Sequence, residues 1–295
     1  MRREYLTGLT AFVAVAEKRS FTAAAAQLGI SASAVSHAVR DLEARLGVRL
    51  LNRSTRSVNL TEAGERYLAR VLPALRELAQ AADGLDELRD TPMGLLRINV
   101  SGPAYDAVLA RRLSEFHRLY PQIQLELVVD DKLADIVATG CDAGIRLGET
   151  LQQDMVAIPV SAPLELVICG SREYFERHPL PRTPSDLRDH ECIAFRYPSS
   201  GKIYGWELEH DGQEVEFEPS AWVVTNDATV MLDLVRSGAG LACLLSHMVA
   251  DDLRRGDLIR VLADWCPPFP GYFLYHSSHR HVPAKLRALI DFLRV

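Results

Sequence analysis

Apolar positions in the first part of the chain recur three and four residues apart, the spacing of one helix face. Between Ser20 and Leu46 two such patterns flank a break at Leu28-Gly29-Ile30-Ser31. In the first, Phe21, Ala24, Ala25 and Leu28 fall on one side of a short helix that Ser20 caps. Gly29 is expected to end it, because glycine accepts a left-handed backbone without steric cost. Ser31 is placed to cap the next helix by offering its hydroxyl to a first-turn N–H. There Val35, Ala38, Val39, Leu42 and Leu46 form the predicted core face, and Ser33, Ser36, His37 and Arg40 the polar one. Leu6, Leu9, Phe12, Val13 and Ala16 predict a helix packed behind both. Two helices joined by a glycine-containing turn, the second rich in exposed donors, suit entry into a DNA major groove. An ordinary helical hairpin inside a larger enzyme has the same periodicity.

Gly47 closes the second helix. Val48, Leu50 and Leu51, then Val58 and Leu60, predict short strands around a polar tip, Asn52 to Ser57. That is a hairpin wing, with Arg53 and Arg56 positioned to meet phosphate or reach a minor groove. From Thr61 to about Arg89 the pattern is one long helix in which Leu68, Val71, Leu75, Leu78, Ala82 and Leu85 step by three and four. Such a seam predicts a coiled coil with a second copy. Pro73 should kink the helix and Gly84 weaken its far end.

Turn-rich residues 90–94 mark a boundary, beyond which strands and helices alternate. Strands are predicted at 95–100, 124–129 and 142–146, with helices at 104–120 and 132–138. A second set comprises strands at 164–169, 191–195, 221–225 and 241–245 and a helix at 228–236. A hairpin at 207–217 turns at Asp211-Gly212, and a strand at 272–276 and a helix at 283–293 close the chain. The alternation predicts a mostly parallel sheet with helices on its faces.

Charge sharpens this division. Residues 1–60 carry nine basic side chains against four acidic, a net of +5, whereas the whole chain of 295 residues is −6, leaving −11 for the remainder. A basic module on an acidic body is the footprint of a domain that meets phosphates. No apolar run approaches the roughly 20 residues of a membrane span, and nothing resembles an export signal, so a cytoplasmic protein is expected. Cys141, Cys169, Cys192, Cys243 and Cys266 are scattered without a CxxC pair, which reads as reduced, mostly buried thiols, with a redox sensor as the alternative. His276, His279 and His281 lack the acidic or cysteine companions of a metal site and are expected on a surface turn, with no metal and no cofactor. There is no GxSxG elbow, HExxH pair or glycine-rich phosphate loop, so no enzyme is indicated.

The run LTAFVAVAEKRSFTAAAAQLGISASAVSHAVRDLEARLGVRLLNRSTRSVNLTEAGE resembles the N-terminal domain of LysR-type transcriptional regulators, and the rest of the chain is similar to that family's effector-binding half. The resemblance implies an α/β protein with a winged helix-turn-helix at 1–60, a dimerising linker helix at 61–90 and an effector domain at 91–295. The last would have two lobes like a periplasmic binding protein, one at about 91–161 and 268–295, the other at about 162–267. DNA contacts are expected from Ser31, Ser33, Ser36, His37, Arg40, Arg53 and Arg56. Ala32 and Ala34 stand where the family often has glutamine and proline, which shifts base reading toward His37, Arg40 and DNA shape. Turns at Ser101 and at Thr225-Asn226 present helix N-termini to the interlobe cleft. The resemblance adds Asp131, Arg146, Gly148, Arg196 and Tyr197, with Arg146 and Arg196 as a carboxylate clamp for an organic or aromatic acid. Leu245-Ser246-His247 departs from the family's proline and alters the expected rim. The implied partners are double-stranded promoter DNA with an inverted repeat, a second copy or a tetramer, the effector, and RNA polymerase; no membrane is implied. The alternative from another class is a small-molecule-binding protein or enzyme whose N-terminal helices only oligomerise.

Overall fold

The computed structural model describes residues 3–53, 58–83, 92–131, 140–148, 155–278 and 282–294. The chain divides into two compact units, Met1–Asp83 and Gly84–Val295.

In the first unit, α1 (Arg3–Lys18), α2 (Phe21–Leu28) and α3 (Ala32–Leu46) are followed by β1 (Leu51–Arg53), β2 (Val58–Leu60) and α4 (Glu62–Asp83). Helix α1 is central: Leu9, Ala11, Phe12, Val13, Ala14 and Val15 are all buried, a wider apolar surface than the predicted stripe. Local chemistry sets the breaks. Ser20 Oγ accepts the Ala23 N–H at 3.3 Å, Gly29 stands at φ +65°, and Ser31 Oγ accepts the Ala34 N–H at 3.2 Å. Caps of this kind contribute about 1 kcal/mol each. On α3, Val35, Val39 and Leu42 are buried, with Ala38 and Leu46 packed at the margin.

The wing pairs Leu51 with Leu60 and Arg53 with Val58, antiparallel. Glu43 anchors it: Oε1 accepts the N–H groups of Leu50 at 2.9 Å and Leu51 at 3.1 Å. Thr61 Oγ1 donates to the Arg49 carbonyl at 2.8 Å and accepts the Gly64 N–H at 2.9 Å, which fixes where α4 begins. Along α4, Leu68, Val71 and Leu75 pack with Tyr67 and Leu72 on the same unit's core, while Leu78 is 58% exposed. The first half of the predicted seam therefore has an intramolecular use that its spacing does not reveal. Gly84 and Leu85 lie outside the described residues.

Among its described residues the second unit holds a five-stranded and a three-stranded sheet, with two further two-stranded pairs. The first runs in the order β4 (Ile123–Val129), β3 (Gly94–Val100), β5 (Ala143–Leu147), β14 (Tyr272–Ser277), β6 (Met155–Pro159). Strand β3 is parallel to β4 and β5, but β14 is antiparallel to both β5 and β6. The second sheet places β7 (Leu166–Ser171) between β12 (Ala242–Leu245) and β13 (Leu258–Val261), antiparallel to each. A parallel pair, β8 (Cys192–Phe195) with β11 (Ala221–Thr225), joins it through the Cys192–Leu241 bridge. The sheets are thus mixed rather than mostly parallel. The chain leaves the first lobe along β6 and enters the second along β7; it leaves the second along β13 and re-enters the first along β14. Neighbouring strands that traverse one hinge in opposite directions must be antiparallel. The two crossings also pair with each other, Leu164 with Phe269.

The helix expected at 104–120 is interrupted. After α5 (Gly102–Ala104) a π-helical turn spans Tyr105–Leu109, and α6 (Leu113–Leu119) resumes beyond it. The predicted hairpin of β9 (Trp206–His210) and β10 (Gln213–Phe217) is present, with Asp211 at φ +49° and Gly212 at +74°, the pairing of a two-residue type I′ turn. Helices α7 (Arg172–Arg177), α8 (Ala228–Arg236), α9 (Ser246–Arg255) and α10 (Ala284–Leu293) complete the unit. Sequence periodicity does not reveal α7, α9, β6 or β13. The helix expected at 132–138 falls outside the described residues. No described helix is long and apolar enough to cross a membrane.

Candidate DNA-reading face and effector cavity

The outer face of α3 is built by its own core. Burying Val35, Val39 and Leu42 turns Ser33, His37 and Arg40 outward, with Ser36 half-buried. Ser31 is already engaged as the cap and meets Ser33 Oγ at 2.9 Å. His37 Nδ1 lies 3.0 Å from Asp41 Oδ2, one turn on, and both side chains are exposed. Arg40 Nε donates to the Ser36 carbonyl at 3.3 Å, which lays the guanidinium along the helix. Four donor-bearing side chains thus share one surface. The Arg53 side chain and all of Arg56 lie outside the described residues.

In the second unit a cavity of about 930 Å³ is lined by residues of both larger sheets, among them Arg146 and Tyr272 of the first and Leu166 and Leu244 of the second. Of the expected effector residues, Ser101, Asp131, Arg146 and Tyr197 line it; Gly148, Arg196, Thr225 and Asn226 are not among its lining residues. Ser101 Oγ caps α5 by accepting the Ala104 N–H at 3.3 Å, and Asp131 Oδ1 accepts the Gly102 N–H at 3.1 Å. Arg146 Nη2 donates to Asn99 Oδ1 at 2.6 Å and to the Asp130 carbonyl, and Nη1 donates to the Ile145 carbonyl at 3.0 Å. Burial lowers its pKa, opposed by Tyr275 and the neighbouring aspartates. The guanidinium is therefore held by its own sheet rather than presented as half of a clamp.

Arg196 points elsewhere, Nη1 donating to the Gly201 carbonyl at 2.7 Å. Thr225 Oγ1 accepts the Asp227 N–H at 3.2 Å, and Asp227 caps α8. A Cβ at Gly148 would lie 2.7 Å from the Phe273 ring, so any larger residue there has to displace that ring. Ser246 Oγ accepts the Glu165 N–H at 3.4 Å within its own lobe, whereas His247 Nε2 donates to the Pro103 carbonyl at 3.1 Å and so reaches the other lobe.

Sequence reasoning missed several lining residues: the glutamates of the β9–β10 hairpin, Met231, Met248, Phe269 and Tyr272. Alternating glutamates read as an ordinary solvated strand face, so the sequence carried no separate signal for them. All five cysteines are buried, and burial pushes the Cys169 and Cys192 thiols up to about 12. His276 is not on a surface turn: it lies buried in β14, its Nδ1 3.1 Å from the Ser277 carbonyl oxygen. His279 and His281 lie outside the described residues.

Residues 6–65 match the family described as bacterial regulatory helix-turn-helix protein, lysR family, and residues 89–295 match the LysR substrate binding domain. The transcriptional regulator PgrR of Escherichia coli K12 is 39% identical over 294 residues, covering 100% of this chain and 98% of the relative. Among solved structures, CrgA of Neisseria meningitidis, a LysR-type transcriptional regulator, is 31% identical with a TM-score of 0.61, covering 97% of this chain and 96% of CrgA. The full-length virulence activator AphB of Vibrio cholerae is 26% identical with a TM-score of 0.66, covering 99% and 98%.

Proposed function

This chain belongs to the LysR-type transcriptional regulators, and on that premise we propose how its residues divide the work of binding DNA and a small-molecule effector. It is a regulator rather than an enzyme, and the reading of its N-terminal helices as a mere oligomerisation device is set aside. Residues 1–60 are the DNA-binding head, 61–90 the dimerising linker and 91–295 the effector domain, with lobes at 91–161 plus 268–295 and at 162–267.

Ser33, Ser36, His37 and Arg40 read or position the major groove, Ser31 sets the helix start beside the backbone, and Arg53 and Arg56 neutralise phosphates from the wing. The observation that carries this is the exposure of the α3 donor face on a buried Val35–Val39–Leu42 spine. Two copies paired through the exposed part of α4 grip an inverted repeat, and a ligand between the lobes biases their arrangement. Such a bias requires unequal affinity for two arrangements. Ser101, Asp131 and Tyr197 contact the ligand directly; Arg146 shapes the wall.

Gel-shift titration of promoter fragments across salt concentrations tests the reading. Arg53→Ala is expected to weaken all sequences alike and flatten the salt slope by about one. His37→Ala is expected to relax base choice. Equal affinity of the intact protein for every fragment sinks the proposal.

A further inference from the structure

His37 and Asp41 stand one turn apart on the outer face of α3, with side chains 72% and 55% exposed, and Nδ1 meets Oδ2 at 3.0 Å. A carboxylate offers only acceptors, so the ring nitrogen in this contact carries its hydrogen and donates. In a neutral imidazole the other nitrogen then has none and keeps a free lone pair. That nitrogen, Nε2, is on the side of the ring away from Cβ, and it makes no hydrogen bond among the described residues. Asp41 is the ionisable group in contact with the ring among those residues.

The rest of the face makes that lone pair count. Arg40 can only donate, and its Nε does so to the Ser36 carbonyl at 3.3 Å. Ser33 Oγ meets Ser31 Oγ at 2.9 Å, and a hydroxyl serves as donor or acceptor alike. His37 Nε2 is thus an acceptor whose role is fixed by its own neighbour. The carboxylate itself is out of place on a surface that meets phosphates. It is one of four acids against nine bases in residues 1–60, and it sits within the reading helix. Exposed pairs of this kind contribute little to folding, so stability does not account for it. Holding the ring hydrogen on Nδ1 gives it a use.

Resting on the reading of His37 as a base contact, we propose that Asp41 is a positioning residue that makes His37 a hydrogen-bond acceptor. The base it selects is then one that presents an amino group in the major groove, adenine through N6 or cytosine through N4. Guanine presents O6 and N7 and thymine O4, all acceptors, and a bare Nε2 is repelled by each of them. The choice therefore has a rejecting element as well as an attracting one. A ring released from the carboxylate takes either tautomer and discriminates less.

Selection of randomised duplexes by the full-length protein and by His37→Ala locates the positions at which this residue chooses. Adenine or cytosine is expected there in the parent. Gel shifts then separate the two bases. Purine in place of adenine, or 2-pyrimidinone in place of cytosine, removes the amino group. The matching replacement should weaken the parent about three- to tenfold more than it weakens His37→Ala, the worth of one hydrogen bond. Asp41→Ala should lose the preference at those positions alone, with the melting temperature unchanged and overall DNA affinity held or raised as a like charge leaves the phosphates. Asp41→Glu, which returns a carboxylate one turn from the ring, should restore the preference. A merely structural role for Asp41 predicts equal weakening of every duplex instead. Guanine or thymine at the His37-dependent positions, an Asp41→Ala preference equal to the parent's, or no restoration by glutamate overturns the proposal. If His37→Ala selects the same sequence as the parent, base contact by His37 is itself wrong; the proposal falls with it, while DNA binding by the head stands.

Discussion

Glu43→Ala isolates how the reading helix holds its wing. One carboxylate oxygen on the inner side of α3 accepts the N–H groups of both Leu50 and Leu51, whose side chains are 1% and 2% exposed. Alanine leaves two donors in a site that side chains close off from water. A stranded buried donor costs about 1–3 kcal/mol, and partial rewetting as β1 lifts keeps the pair near the lower end, about 2–4 kcal/mol together. Glutamine keeps a carbonyl oxygen in place but forfeits the charge, so Glu43→Gln should cost about half as much. Backbone amide exchange over residues 48–53 reads the effect where it occurs. A local loss of about 3 kcal/mol raises exchange there by roughly two orders of magnitude, with the second unit unchanged. Promoter affinity should fall in the same order, parent, glutamine, alanine, because Arg53 lies two residues beyond the anchored amides. If alanine leaves exchange at 48–53 within a factor of two, or glutamine equals alanine, the carboxylate is not the anchor.

Three further outcomes follow from the packing. Gly64→Ala would put a Cβ 2.0 Å from the Leu50 carbonyl oxygen, which also accepts the Thr61 N–H; a loss of at least about 2 kcal/mol is expected in helical circular dichroism melts of residues 1–83, and an unchanged melt refutes it. Asp252, buried between Arg236 and Arg255, uses both oxygens on their guanidinium groups, so Asp252→Ala should destabilise the second unit by about 2 kcal/mol in tryptophan-monitored urea unfolding. That figure is reduced from a fully buried pair because both arginines are half exposed. His190 and His247 have pKa values lowered mainly by burial, so the unfolded chain takes up their protons first. Stability of the second unit should therefore be full above the ordinary imidazole value of 6.5 and decline as pH falls below it; tryptophan-monitored melts that stay flat from pH 7.5 to 5.5 would contradict this.

How much the sequence disclosed depended on how local the cause was. Gly29, Gly47, Ser20 and Ser31 act within one turn, so the breaks in the head were readable from four-residue windows. Glu43 acts across a loop on residues seven and eight positions away, and nothing in its own helix distinguishes it from a solvated acid. The α4 stripe was legible as apolar but not as to what covers it, because period alone cannot tell an intramolecular neighbour from a second copy. Strand direction failed for a topological reason: a chain that visits a second lobe and returns imposes an antiparallel strand that βαβ alternation does not foresee. In the cavity, Ser101 was readable as a helix cap after a strand. The Glu207–Glu216 and Glu209–Glu214 pairs become a feature only once register brings them opposite each other.

The same register links the cavity to the hinge. Tyr272 is the first residue of the returning strand, and its N–H donates to Ser161 Oγ at 2.7 Å, on the outgoing crossing. Ser161 Oγ in turn donates to the Ala162 carbonyl at 2.9 Å. At Gly271 a Cβ would lie 2.2 Å from both the Ala162 carbonyl oxygen and Ser161 Oγ, so the two crossings touch backbone to backbone. A ligand packed against Tyr272, which lines the cavity, therefore acts on a residue whose own backbone closes the hinge. Any change in the angle between the lobes moves the lining residues of the β9–β10 hairpin relative to Tyr272, because they belong to opposite lobes. Affinity then differs between lobe arrangements as a matter of geometry, which is the condition an effector must meet to bias one arrangement over another. A ligand confined to either lobe alone would bind all arrangements equally and regulate nothing.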